Sequence, residues 1–196
     1  MSKIRGRPGL PKMLEECSRI LRERPHERGI IHCHSRDLQQ TVARHLRGEF
    51  GSRILLHQGG SDRDAGVDRL RASRYGVLCA VAMTEGLDLR GDDARFCIFA
   101  KIPWPDLTDP YIAERKKRSQ EWYENVTALA VVQGSGRVVR DERDYAATFI
   151  FDGSFPMLVP RFPDWWIQAL AWEQSSSSRK LPASVVVESH REKRTS

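Results

Sequence analysis

The sequence predicts an α/β fold, a parallel sheet with helices packed on both of its faces. Three observations carry this. Strand-length apolar runs alternate with longer segments of helical spacing through most of the chain. The run Gly76 to Ala82 is continuously apolar rather than alternating, as a strand covered on both faces is. Prolines, glycines and small hydroxyl residues stand where helices would begin and end.

Taken in order, Pro11 suits the first turn of a helix over Lys12–Arg24, on which Leu14, Cys17, Ile20 and Leu21 fall near helical spacing, and Pro25 stops it. Gly29 to His34 is the first strand. Ser35 offers a cap for a helix carrying Leu38, Val42 and Leu46, ended at Gly48 or Gly51. Arg53 to His57 is the second strand, and Gly59-Gly60-Ser61-Asp62 opens a helix with Val67 and Leu70 on one face. Gly76 to Ala82 is the third strand. A polar loop, Thr84 to Asp93, leads to a fourth, Arg95 to Lys101. Pro103-Trp104-Pro105 breaks the pattern before a long charge-rich helix from about Asp109 to Val132, and a further helix carries Arg137 and Arg140. Tyr145 to Phe151 is a strand. A last short helix starts near Pro163-Asp164 and packs Trp165, Trp166, Ile167 and Leu170. Past Trp172 a serine run and mixed charges read as a disordered tail. The boundaries are therefore an N-terminal extension over 1–10, one domain over 11–172 and the tail over 173–196.

Hydrophobic residues make up 40% of the chain, enough for a real core, and the formal net charge is +6. That charge favours an acidic partner, of which nucleic acid is the commonest. Cys17, Cys33, Cys79 and Cys97 form no CxxC pair and no metal-ligand cluster; most sit in apolar strand-like runs, as small buried residues do. This usage fits a reducing, cytoplasmic compartment. No apolar run is long enough to span a membrane, and the first residues lack the apolar core of a signal peptide.

Two loops carry the chemistry. Gln133-Gly134-Ser135-Gly136-Arg137-Val138-Val139-Arg140 sets two arginines three residues apart behind a glutamine and two glycines. On a helix such arginines project from one face and can grip a phosphate bidentately, while the glycines admit close backbone approach. Met83-Thr84-Glu85-Gly86-Leu87-Asp88-Leu89 follows the third strand directly. In sheets of this kind ligands bind beyond the carboxyl ends of the strands. That rule points to this loop and to the turn before Gln133.

In this order the motifs resemble the second RecA-like lobe of a superfamily 2 helicase of the XPD/DinG type. Ile30 to Ser35 is similar to motif IV, Met83 to Leu89 to motif V, and Gln133 to Arg140 to motif VI in its QxxGRxxR form. Pro103-Trp104-Pro105, Asp109-Pro110-Tyr111 and Pro163-Asp164-Trp165-Trp166 extend the resemblance to roughly residues 11–172. It implies a RecA-like lobe of the P-loop NTPase type that itself lacks a P-loop. Arg137 and Arg140 would reach the γ-phosphate of ATP held on another lobe, and Gln133 would orient the attacking water or touch that phosphate. Glu85, Gly86, Asp88 and Gly136 would lie by the nucleotide. Ser35 and Thr84 would bond the backbone of single-stranded DNA, RNA not being excluded. For Arg140 the bland alternative is a surface ion pair with Asp141, Glu142 or Asp144.

The basic run Lys116, Lys117, Arg118 among Tyr111, Trp122 and Tyr123 reads either as a DNA-facing helix with stacking partners or as a solvated face with Trp122 in the core, the latter favoured for Trp122. His32, His34 and His57 read as structural. Trp165 and Trp166 read as one half-exposed and one core residue. The chain has no G-x-x-x-x-G-K-[ST] segment and no acidic magnesium motif, so the Mg²⁺ ligands and the triphosphate cradle are expected on a first lobe. The polypeptide is then a fragment, a split-gene product or a stand-alone lobe, inactive in isolation. The alternative is a non-hydrolysing nucleic-acid or protein adaptor. An unrelated Rossmann-type enzyme is disfavoured by the missing glycine fingerprint after the first strand.

Overall fold

The computed structural model describes residues 9–57, 62–81, 89, 91–135, 146–168, 170–172 and 184–188. The first helix, α1 (Leu10–Glu23), has Pro11 in its first turn and Gly9 as its cap at φ 88°. It buries Met13, Cys17, Ile20 and Leu21. Strand β1 (Gly29–Cys33) is buried along its whole length. Helix α2 (Arg36–Phe50) is capped by Ser35 and ends at Gly51, whose φ of 55° is the left-handed conformation glycine tolerates. Then follow β2 (Ile54–Leu56), α3 (Arg63–Ala72), β3 (Val77–Val81) and β4 (Phe96–Phe99).

Strands β2, β3, β1, β4 and the later β5 (Ala147–Phe151) lie in that order and are mutually parallel. Their residues alternate between two cores. Ile30, Leu78, Cys97, Phe99 and Ile150 face α3 and the helices that flank β5. Ile31, Val77, Cys79, Phe96, Ile98 and Phe149 face α1 and α2. Helices on both faces of a parallel sheet is the predicted fold class, and the continuous apolar strands are its cause. Gly29 pairs in register with Phe96, and a Cβ at Gly29 would run into that phenyl ring.

Three details differ from the sequence reading. The long helix expected over Asp109–Val132 is two, α4 (Pro110–Arg118) and α5 (Gln120–Ser135), broken at Ser119. Ser119 is extended (φ −150°, ψ 101°), and its Oγ accepts from the Trp122 amide at 3.0 Å, capping α5 locally. After α6 (Phe155–Leu158), helix α7 (Asp164–Gln168) stops short of Leu170. Leu170 instead opens β6 (Leu170–Trp172). Within the stretch expected to be a disordered tail, β7 (Ser184–Glu188) pairs antiparallel with both β5 and β6. Ser-Val-Val-Val-Glu is a β-branched run that the serine-rich approach to it masks.

The chain leaves β1 towards β2 on one side of the sheet and leaves β4 towards β5 on the other. The carboxyl ends of β1 and β4 therefore flank the topological switch point.

Candidate nucleotide and nucleic-acid site

Ser35 lies at the carboxyl end of β1. Its Oγ accepts from the Leu38 amide at 3.3 Å, so the acceptor side of the hydroxyl is used in capping α2 while its proton remains able to donate. His34 beside it is exposed. Beneath them Gln39, buried at the first turn of α2, donates to the His57 and Cys79 carbonyls at 3.2 and 2.7 Å. His57 Nε2 in turn accepts from the Val81 amide at 2.8 Å. These bonds fix the end of β3, from which the next loop departs. His57 is thus a structural histidine, as the sequence implied.

Thr84, Glu85, Gly86 and Asp88 lie outside the described residues, as do Gly136, Arg137 and Arg140 with Asp141, Glu142 and Asp144. The residues that bracket them are described. Leu89 and Ala146 are both buried in the core that α5 and α7 cover. Gln133 is exposed in the last turn of α5, between the half-buried Val132 and the buried Gly134 and Ser135. Ser135 Oγ donates to the Val132 carbonyl and accepts from the Trp166 indole at 3.1 Å. There is no turn before Gln133, contrary to expectation, because α5 runs unbroken to Ser135. Tyr123, near the start of α5, donates to the Pro105 carbonyl just past β4.

His32, on β1, is 4% exposed and stacks on Phe99 at 4.9 Å. Its Nε2 has no hydrogen-bond partner among the described residues. Burial lowers its pKa to about 4, so the ring is neutral near pH 7.

At the carboxyl end of β4 the helix break builds two cation–aromatic stacks. Arg115 lies 4.1 Å from the Trp122 ring centroid and 5.6 Å from that of Tyr111. Lys116 Nζ lies 4.7 Å over Tyr123, which stacks on Trp104 at 5.2 Å. Both cross-break pairs are seven residues apart. Both pairs span the break at Ser119, one partner on α4 and the other on α5. Trp122 is accordingly half-buried under Arg115 rather than in the core, the reverse of the reading favoured from sequence. Lys117 and Arg118 are exposed, Arg118 pairing with Glu114 at 3.0 Å. Of the tandem tryptophans, Trp166 is core at 2% exposure and Trp165 is exposed at 64%.

Sequence reasoning missed Asp152. Its carboxylate accepts from the Ile102 amide at 3.1 Å and from the Ser154 amide and hydroxyl at 2.9 and 2.8 Å. Ser154 Oγ then accepts from the Trp104 indole at 3.0 Å. The exits of β4 and β5 are thereby tied to the inner stack. A lone aspartate directly after a buried strand was the available signal.

Among the described residues no group of three histidine, cysteine or carboxylate side chains could hold a metal ion, and no helix is long and apolar enough to cross a membrane.

Residues 17–169 match the family described as helicase C-terminal domain. Curated relatives include the regulator of telomere elongation helicase 1 of Rattus norvegicus, 33% identical over 107 residues. The match takes in 45% of this chain and 8% of that protein. The homologous regulator of Culex quinquefasciatus is 33% identical over 92 residues, 40% of this chain and 9% of that protein. The matched region is thus under a tenth of each relative's length. Two solved structures share the fold at TM-score 0.50, an XPD helicase (16% identity, 80% of this chain and 30% of that one) and an apo XPD (15%, 72% and 31%). With its five-stranded parallel sheet covered on both faces and its motifs in order, the chain belongs to the helicase C-terminal domain family, as a second RecA-like lobe of the XPD/DinG type.

Proposed function

We propose that the chain is the second motor lobe of an ATP-dependent DNA helicase, closing on ATP held by a P-loop-bearing first lobe and gripping single-stranded DNA. The observation that carries this reading is the family match across 17–169, which takes in the glutamine-to-arginine run in sequence order behind the β3 loop. In this reading Arg137 and Arg140 meet the γ-phosphate, and Gln133 orients water or contacts the same phosphate. Glu85, Gly86, Asp88 and Gly136 line the nucleotide, and Ser35, Thr84, Lys116 and Lys117 hold the nucleic acid. ATP and Mg²⁺ belong to the closed pair of lobes. The P-loop and the acidic metal motif are absent from this sequence, so the residues present do not bind the triphosphate unaided. The isolated chain is accordingly inert as an ATPase.

An arginine acting in the transition state contributes ~10³-fold or more to turnover, because it neutralises charge that develops only there. The test supplies a first lobe in trans and measures DNA-stimulated ATP hydrolysis. Arg137→Ala and Arg140→Ala should each cost about three orders of magnitude in kcat while leaving oligonucleotide binding intact. Equal hydrolysis by wild type and Arg137→Ala would sink the finger assignment. Salt-dependent strand binding without any nucleotide or hydrolysis under every lobe pairing would favour the adaptor reading.

A further inference from the structure

The geometry points to a base-stacking platform on α4 and α5, in which Tyr111, Arg115 and Trp122 receive an unpaired base of a single-stranded nucleic acid while Lys117 holds a flanking phosphate. This rests on the nucleic-acid part of the proposed function and adds a subsite outside the helicase motifs.

Three observations support it. First, Tyr111 is 65% exposed on a helix that buries none of its own residues, so its ring is not held there by core packing. Second, the Arg115 guanidinium carbon lies over both rings, 4.1 Å from the Trp122 centroid and 5.6 Å from that of Tyr111, with Nη1 donating to the Tyr111 hydroxyl at 3.3 Å. A guanidinium stacked by its faces keeps further in-plane N–H groups for a phosphate or a base edge. Third, the platform adjoins the carboxyl end of β4: on α5, next to Trp122, Tyr123 donates to the Pro105 carbonyl just past that strand at 2.8 Å.

The inner stack differs. Trp104 is tied to Ser154, and Tyr123 to the Pro105 carbonyl, so Lys116 rests on an anchored base. Among the described residues the outer stack has no such tether; Tyr111 stands exposed and Trp122 is half-buried. Stacked aromatics and arginine facing solvent beside further cations suit bases and phosphates together. An acidic peptide would use only the charges.

The test is anisotropy titration of a short labelled oligothymidylate with the full chain, without nucleotide or first lobe. Tyr111→Ala and Arg115→Ala should each weaken binding roughly tenfold, the scale of one stacked base. Tyr111→Phe should stay within about twofold. Lys117→Ala should lower the salt slope of log K by about 0.7, whereas Tyr111→Ala leaves the slope unchanged. Wild-type affinity for Tyr111→Ala, or an equal loss in Tyr111→Phe, overturns the platform. So does displacement of the oligonucleotide by polyglutamate as readily as by unlabelled strand. Because no ATP is involved, failure here leaves the finger assignment standing, and failure of the fingers leaves this binding intact.

Discussion

The two ends of the sheet spend their cations in opposite ways. At the amino end, the Arg53 guanidinium donates to four carbonyls, those of Leu21, Arg24, Glu27 and Tyr75. Arg28 donates to the carbonyls of Arg71 and Asp92 at 2.7 and 2.6 Å. These arginines rivet the loops that enter β1, β2, β3 and β4, each through backbone carbonyls. At the carboxyl end, Arg115 and Lys116 lie on aromatic rings, which contact a cation's face but leave N–H groups unspent. The same residue types are structural at one end and available to a ligand at the other. The net charge of +6 does not distinguish the two uses.

The largest expected effect breaks the amino end. Arg53→Ala strands several carbonyls and should cost about 3 kcal/mol in urea unfolding, with oligonucleotide affinity unchanged in the folded protein. Asp152→Ala, which unties the carboxyl end, should cost about 2 kcal/mol. Unlike the first variant it should also weaken strand binding, because Trp104 loses its support. If both variants alter binding equally, the contrast between the two ends fails.

His32 gives a pH handle of similar size. Its folded pKa of about 4 lies below the ordinary 6.5, so the unfolded chain binds the extra proton first as pH falls. That contribution is intact above pH 6.5 and is lost progressively towards pH 4. Between pH 7 and pH 5 the loss should be about 2 kcal/mol, and His32→Leu should flatten that part of the stability profile. An unchanged profile would remove His32 from the buried, neutral set.

Smaller effects sharpen the carboxyl end. Ser119→Ala removes the hydroxyl that receives the Trp122 amide and should cost about 1 kcal/mol, as cap losses do. It should also reduce strand affinity, since Arg115 and Trp122 stack across the break it supports. Ser35→Asp keeps a good cap for α2 and should leave stability nearly unchanged. Its carboxylate should nonetheless repel a phosphate and weaken strand binding severalfold. A loss of stability without a loss of binding would leave Ser35 as a cap alone.

Much of the fold was legible because its signals are local. Ser35 caps α2, Pro11 sits in the first turn of α1, Asp109 and Pro110 open α4, and the continuous apolar strands are buried on two faces, each as the sequence implies. The errors share another origin. A serine inside a helix-compatible run breaks it only when the flanking segments gain by packing separately, and α5 gains by lying along α6 and α7. Strand β7 was hidden because it joins the sheet through β5, which lies far back in the chain, as well as through the short β6. Asp152 was overlooked because one of its donors, the Ile102 amide, reaches it only once β4 and β5 end side by side.

The residues alone determined the class of sheet, the caps and the motif order that marks a helicase C-terminal domain, since each rests on spacings of a few positions. Only the folded chain decided which charges are free to act. Arg115 and Trp122 lie on separate helices and meet across the turn at Ser119. Arg53 is occupied because the end of α1 and the connections entering β1 and β3 meet around it. Both outcomes depend on distances between segments remote in sequence or separated by a break, which local periodicity does not encode.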